Sequence, residues 1–390
     1  MKYMFLLISA LLLCACKGRQ DSPVATIDVL SPDGTEIKNL SEIAADIRYI
    51  PLETNPDAFM RFVGNLKEGN GKFYINTVLE LLCFDKTGKF LYKLEQQGRG
   101  PGEYTYLSDY DIKPEKNLVL VLTRGKLFFY NETDTGFNLQ KQLDLKMQPN
   151  YVDFFPDQDN ILLSFSASTG ENKYQCVGIN PDGDTLFIRP NFYKFTRNSR
   201  VVMGFSSDNI INKHNETIRI KGFLNDTVFT INREYEFVPF MILNSGGKSI
   251  TTDFLANVPA PTMESGKSPA ADFLALSEIL ETEKYLMFRY YYQEIVKWIM
   301  VDKITTQTIS FDGKELLKDD ISGGVNIEPK FVCNGIIYGW TDAMKLKSHL
   351  SGEGFRNAEV LNPARKAELE KLATTLKEDD NHLLIEITPK

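Results

Sequence analysis

With 390 residues, 43% of them hydrophobic and 12% aromatic, the chain has the material for one large domain or two ordinary ones and lacks the composition of a disordered protein. Its formal charge of −8 argues against nucleic acid as a partner and against a mainly electrostatic hold on anionic lipid. Abundant Phe (26) and Tyr (17) favour strands over helices.

Met1 to Cys16 reads as a processed leader. Lys2 supplies a positive start, and Phe5 to Leu13 is an apolar run too short for a permanent span. Leu13-Cys14-Ala15-Cys16 has the form of a lipobox, with the small Ala15 directly before Cys16. Cys14 fits less well, because bulky Leu13 precedes it. A lipidated Cys16 predicts membrane attachment without a transmembrane helix, since no later apolar run is long enough. The plainer alternative is a secretory leader cleaved nearby. Residues 17–23 are polar and read as a tether, leaving 24–390 as a single domain. The remaining cysteines, Cys83, Cys176 and Cys333, are odd in number, widely spaced and set among apolar neighbours. Buried thiols are expected there, with no disulfide framework.

Two strands, Val24 to Leu30 and Ile47 to Leu52, flank the turn Pro32-Asp33-Gly34. From there the chain repeats loosely. Phe73 to Asn76, then Leu81 to Phe84, then a tight turn through Asp85-Lys86-Thr87-Gly88 and a strand to Tyr92 form one unit. Similar units follow, and Asp85, Asn131, Asn180, Ile231 and Asp302 mark equivalent points. Their spacings are 46, 49, 51 and 71 residues. A period near 40–50 with several short strands per unit is the signature of a β-propeller. The long last interval predicts an insertion at about 243–269. A doubly wound α/β fold is excluded, because amphipathic helices do not alternate with these strands. Two helices are predicted. Pro269 to Leu280 places Phe273, Leu276 and Leu280 on one side, and Asn362 to Leu376 starts with an Asn cap and Pro363 at its first turn. The fold class is therefore all-β: a six-bladed propeller with a small helical insertion near the C-terminus. Strands within 24–52 are expected to complete the last blade beside 383–388.

Several motifs together resemble a known family. They are Cys16 in its lipobox, Ile50-Pro51-Leu52-Glu53-Thr54, the turn Phe84 to Lys89, and Gly98-Arg99-Gly100-Pro101-Gly102-Glu103-Tyr104. Near the end, Asp379-Asp380-Asn381-His382 resembles a closing Asp-Asn-Pro motif, with His382 where proline is usual. The chain is similar to the Bacteroidetes six-bladed β-propeller lipoproteins, themselves distantly similar to NHL-repeat propellers. The resemblance implies shape and location but no established catalytic residues. Surface-exported lipoproteins of this phylum resemble an acidic pattern after the lipidated cysteine, whereas Lys17-Gly18-Arg19 is basic. The expectation is thus the periplasmic face of the outer membrane, with the cell surface as the alternative.

No catalytic motif stands out. His214, His349 and His382 lie far apart in sequence, with no metal-ligand spacing around them. No Gly-x-Ser-x-Gly elbow or phosphate loop occurs; Pro101 removes an N–H from the glycine-rich stretch and no helix follows it. No cofactor or metal is predicted. Arg99, Glu103 and Tyr104 are the candidate ligand-binding residues, on the premise that inter-blade loops converge at the channel mouth. The competing reading makes the stretch a joint between blades, with glycines at positive φ and Tyr104 packed inside. Asp109 and Asp111, two apart, point to one face of a strand, as a cation site or as solvated loop residues, the commoner case. In Phe288 to Tyr292, Phe288, Tyr290 and Tyr292 share one face, and Arg289 and Tyr291 the other. An exposed aromatic face there would suit stacking on sugar rings. The function expected is an envelope binding or scaffold module for a glycan, peptide or partner protein. The alternative is a carbohydrate hydrolase or lyase working at the central channel.

Overall fold

The computed structural model describes residues 24–201, 209–259 and 268–390; the leader, Cys16 and the tether lie outside them. The chain opens with β1 (Ala25–Asp28), β2 (Gly34–Glu36) and β3 (Ala44–Pro51). Blade 1 is β4 (Leu66–Gly69), β5 (Lys72–Asn76), β6 (Leu81–Asp85) and β7 (Phe90–Leu94). Blade 2 is β8 (Asp109–Lys113), β9 (Leu118–Thr123), β10 (Lys126–Thr133) and β11 (Gly136–Asp144). Blade 3 follows as β12 (Tyr151–Phe154), β13 (Ile161–Ser164), β14 (Tyr174–Ile179) and β15 (Thr185–Pro190). Blade 4 is β16 (Asn209–His214), β17 (Thr217–Gly222), β18 (Thr227–Ile231) and β19 (Phe237–Asn244). A short helix, α1 (Thr252–Ala256), sits in the connection to blade 5. That blade is β20 (Ala275–Glu281), β21 (Tyr285–Tyr292), β22 (Ile295–Asp302) and β23 (Thr308–Asp312). Blade 6 starts with β24 (Phe331–Cys333) and β25 (Ile336–Thr341). Helices α2 (Ala343–Ser351), α3 (Glu353–Arg356) and α4 (Pro363–Thr375) intervene before β26 (Leu383–Pro389). The six-bladed propeller is present, with its helical excursion near the C-terminus.

The repeat has a local cause. Asp85 Oδ1 accepts from the N–H groups of Thr87 and Lys89 at 2.8 and 3.0 Å. Asn180 does the same for Asp182 and Asp184 (3.0 and 2.8 Å), and Asn232 for Glu234 and Glu236 (3.1 and 2.8 Å). Asp302 holds Ile304 and Thr305 at 2.9 and 2.8 Å. Each side chain thus builds the turn between the third and fourth strands of its blade, the mimicry of a backbone turn that Asp and Asn favour. In blade 4 the turn-forming residue is Asn232, one place beyond the mark at Ile231.

Six buried hydrophobic clusters fill the six blade interfaces. Strand alternation supplies them, since each sheet sends alternate side chains to the blade before and the blade after. Between blades 5 and 6, fully buried Trp298 stacks on Phe311 with ring centroids 5.9 Å apart. Leu346, Leu350, Phe355 and Leu369 of the helical excursion add to that cluster.

Two expectations are corrected. Pro269 to Leu280 is no helix: Ala275 onward is β20, innermost strand of blade 5. A bulge between Leu276 and Glu278 breaks its alternation, so its apolar residues fall at helix-like spacings. Asp342 caps α2, its side chain accepting from Lys345 N–H at 2.6 Å. Lastly, only β3 completes the last blade, pairing antiparallel with β26 from Leu383↔Pro51 to Pro389↔Ala44. The earlier strands add in parallel to the rims of other blades, β1 to β19 and β2 to β23. The N-terminal segment therefore skirts blades 4, 5 and 6 in turn. The predicted helix at 362–376 stands as α4, its Asn362 side chain accepting from Arg365 N–H at 3.3 Å.

Three of the family-marking motifs meet where the ring closes. Pro51 to Thr54, Thr87 to Lys89 and Asp380-Asn381 line one surface pocket of about 330 Å³. Asn381 Oδ1 accepts from Met60 N–H at 2.9 Å, and its Nδ2 donates to the carbonyls of Glu53 and Ala58, both at 2.8 Å. Gly88 has φ +87°, and a β-carbon there would lie 2.1 Å from the Pro51 carbonyl oxygen. Asn381→Ala strands the buried Met60 N–H and Ala58 carbonyl and the part-buried Glu53 carbonyl and is expected to cost about 2–3 kcal/mol, read as a lower urea midpoint at unchanged slope. An unmoved midpoint would show that closure rests on the β3–β26 ladder alone.

Candidate functional site

The innermost strand of each blade walls a central channel of about 680 Å³. Among the described residues lining it, six carry carboxyl groups and four are lysines. Strand alternation puts them there. Along β8, Asp109, Asp111 and Lys113 face the channel side, while Tyr110 and Ile112 pack into the interface between blades 1 and 2.

On one side four blades contribute a charge cluster. The Lys67 ammonium lies 3.2 Å from Asp111 Oδ1 and 3.5 Å from Asp153 Oδ1. Lys213 donates to Asp111 Oδ2 and lies 3.7 Å from Asp153 Oδ1. Two carboxylates also tie blade 2 to blade 3: Asp109 Oδ2 accepts from Val152 N–H at 2.9 Å, and Asp111 Oδ2 from Phe154 N–H at 2.7 Å. These charge-assisted bonds stand in for a backbone ladder between neighbouring inner strands.

The carboxyls titrate differently. Burial pushes Asp109 up to about 7, with Lys67 opposing. Burial also raises Asp153. For Asp111 burial is outweighed by Lys213 and Lys67, which hold it below the usual carboxylate range. Burial weakens the Lys67 charge, yet Asp111, Asp153 and Asp109 more than compensate and its pKa rises well above normal.

Across the channel, Glu278 is pushed up, chiefly by burial. Its Oε2 lies 3.7 Å from Arg289 Nη1. Behind it, Glu328 holds Arg289 at 2.9 Å and Lys330 at 2.7 Å. Five side-chain atoms of lining residues are buried without a hydrogen bond: Asp111 Oδ1, Asn209 Oδ1, Asn212 Nδ2, Ser277 Oγ and Glu278 Oε2. Native interiors leave few such atoms. Among the described residues no group of three or more His, Cys, Asp or Glu side chains is placed to hold a metal ion.

The glycine-rich stretch lies elsewhere. Arg99 and Glu103 are exposed on the connection from β7 to β8, outside the channel wall, while Tyr104 is buried. Tyr104 packs in the interface between blades 1 and 2, with its ring centroid 6.3 Å from that of Phe128. Glu103 Oε2 folds back to accept from Gly100 N–H at 2.7 Å. A β-carbon on Gly98 would sit 1.8 Å from that oxygen, and of the three glycines only Gly102 has positive φ, +80°. The stretch has the features of a joint. Likewise Phe288 and Tyr290 are buried in the interface between blades 4 and 5, and Arg289 stacks over half-exposed Tyr291 at 4.8 Å. Cys83 and Cys176 are buried thiols, each pushed by burial up to about 12; Cys333 is half-buried.

Asp109 and Asp111 share a face as the spacing predicts, but they belong to a buried inner strand and not to a solvated loop. Lys67, Asp153, Lys213 and Glu278 went unnoticed in sequence. The usable signal is the charged residue in the first strand of blades 1 to 5.

Comparison with solved structures returns the same architecture. A protein of Bacteroides fragilis NCTC 9343 described as exported aligns with TM-score 0.66 at 19% identity, covering 94% of this chain and 99% of its own. A member of the DUF4221 family from Bacteroides vulgatus ATCC 8482 aligns with TM-score 0.53 at 12% identity, covering 89% of this chain and 97% of its own. No curated protein matches the sequence. The profile of the domain of unknown function DUF4934 matches residues 24–388, so the chain belongs to that family, a Bacteroidetes family of six-bladed β-propellers.

Proposed function

We propose that the protein is a cell-envelope lipoprotein, anchored through Cys16, whose propeller binds a small polar ligand in its central channel. The observation that carries the binding reading is the channel itself. It has the volume of a small-molecule site and charged walls, and it holds buried polar atoms whose hydrogen bonds are unmade. A glycan, a peptide or a segment of a partner protein meets those needs. Envelope placement is supported by the lipobox and by the exported description of the B. fragilis neighbour. The basic residues after Cys16 favour the periplasmic face of the outer membrane. Protease treatment of intact cells tests this; rapid loss of the protein would place it on the cell surface.

The binding reading is tested by screening the purified protein against glycan and peptide arrays. Binding that is lost on Asp111→Asn or Lys213→Met, with the fold intact, supports the channel. Binding untouched by both moves the site elsewhere. A second reading, a hydrolase or lyase acting in the channel, is favoured by Asp109, a carboxyl pushed up to about 7 in that wall, within the range useful for proton transfer. Product analysis of the glycans that bind separates the two, since a binder returns them uncut.

A further inference from the structure

We propose that the outer rim of blade 3 takes an extended acidic segment of a partner protein as a fifth strand, with one of its carboxylates on Arg189. The fold already accepts such strands: β1 adds in parallel to β19 on the rim of blade 4, and β2 to β23 on the rim of blade 5. On blade 3 the outermost strand is β15, and among the described residues nothing pairs with its outer edge. Natural sheets guard open edges with charged and polar residues along the strand. The open rims of blades 1 and 2 follow that rule, with Lys93 on β7 and Gln140, Lys141 and Gln142 on β11. The rim of blade 3 instead shows Leu186 and Ile188, 40% and 52% exposed, and Phe192 just past its end is 68% exposed. Pro190 stops β15 but leaves Thr185 to Arg189 free to pair.

Charge sets the chemistry of that strand. The Arg189 guanidinium packs against blade 4, 4.0 Å from the ring centre of Phe237 and 4.8 Å from that of Phe229. Its Nε donates to Gln175 Oε1 at 2.9 Å, while among the described residues its two terminal nitrogens have no acceptor. Neither of them is sealed from solvent. Every other half-buried arginine among the described residues pairs with a carboxylate: Arg48, Arg197, Arg219, Arg289 and Arg365. Arg189 has none. A fifth strand supplies it, because neighbouring strands lie about 4.8 Å apart and side chains on one face meet. On blade 4, Ile27 of β1 stands opposite Leu243 and packs into the interface with blade 5. The matching residue of a strand on β15 packs toward blade 4, beside Arg189. A Glu or Asp there meets the planar fork of the guanidinium, and residues on the other face cover Ile188. A free carboxylate ion would fill the fork but leave the backbone edge and the apolar side chains bare.

The test titrates the purified full chain with a labelled peptide, acetyl-Thr-Val-Glu-Val-Thr-Val-amide, followed by fluorescence anisotropy. The peptide is expected to bind, and versions with Gln or Lys in place of Glu to bind at least about tenfold more weakly, as for the loss of a charged hydrogen bond. Methylating alternate backbone nitrogens along the edge that pairs should abolish binding. Hydrogen exchange should slow over residues 185–189 when the Glu peptide is bound. Arg189→Gln is expected to remove the preference for Glu over Gln. Ile188→Lys, at a site already half in solvent, is expected to weaken every peptide. Should Arg189→Gln not fold, Ile188→Lys and the exchange map carry the test. Absence of binding by the Glu peptide, equal binding of the Gln peptide, or full affinity in both variants overturns the proposal. So does protection confined to the inner strands, which would favour the channel instead; failure at the rim leaves the channel reading untouched.

Discussion

Replacing Glu132 by alanine is expected to cost the propeller about 3–5 kcal/mol, the usual penalty for removing one partner of a buried charged network. Glu132, on β10 and 5% exposed, is the hub between blades 1 and 2. Tyr74 and Tyr92 donate to it from blade 1 at 2.7 and 2.6 Å, Lys72 at 3.2 Å, and the Cys83 thiol lies at 3.9 Å. Alanine leaves two buried hydroxyls without their acceptor and takes the counter-charge from Lys72, which keeps its bond to Tyr92 Oη at 2.8 Å. Urea unfolding measures the loss. Tyr74→Phe combined with Glu132→Ala should cost less than the sum of the single changes, since both remove the same bond. A loss below about 1 kcal/mol would mean that packing alone joins these blades.

Stability should fall as pH rises from about 4 to 7, and Asp109 should be the main cause. Its folded pKa, about 7, lies above the value of about 4 for an unfolded aspartate. The folded state therefore binds the proton more tightly. Its contribution is fully present below about pH 4 and is lost as pH climbs through the folded pKa. That difference corresponds to about 4 kcal/mol at most. Asp153 and Glu278, also raised, act in the same direction, whereas Asp111, lowered, loses its contribution only as pH falls through its folded pKa. Lys67, raised, holds throughout this window. Asp109→Asn keeps an oxygen for Val152 N–H and removes the charge. It should flatten the profile and exceed the parent in stability at pH 8. An unchanged slope with lower stability would show that Lys67 keeps Asp109 ionised.

Much of the fold was legible because each blade signs itself locally. The Asx turn at Asp85, Asn180, Asn232 and Asp302 needs only residues within five positions, so a sequence displays it directly. The helix at Pro363 carries its own cap and first-turn proline. The helix at Ala343 carries a local signal as well, in the Asp342 cap and the spacing of Ala343, Leu346 and Leu350. The inner strand of blade 5 was hidden by its bulge. The pairing of β1 and β2 with distant rims was also out of reach, because parallel edge addition asks for a free backbone edge and little sequence pattern.

The candidate site divides along the same line. The sequence by itself determined the repeat and the turns, since short-range hydrogen bonds act between near neighbours, but it left Gly98 to Tyr104 open between a ligand-binding loop and a joint. It also placed Asp109 and Asp111 on one face. Only the tertiary structure decided that this face looks into a channel, and that Lys67, Asp153, Lys213 and Glu278 meet there from four other strands. Closing a ring brings together residues about 40–70 positions apart, one from each repeat. The field they share, and the burial that shifts their protons, exist only once the ring has closed.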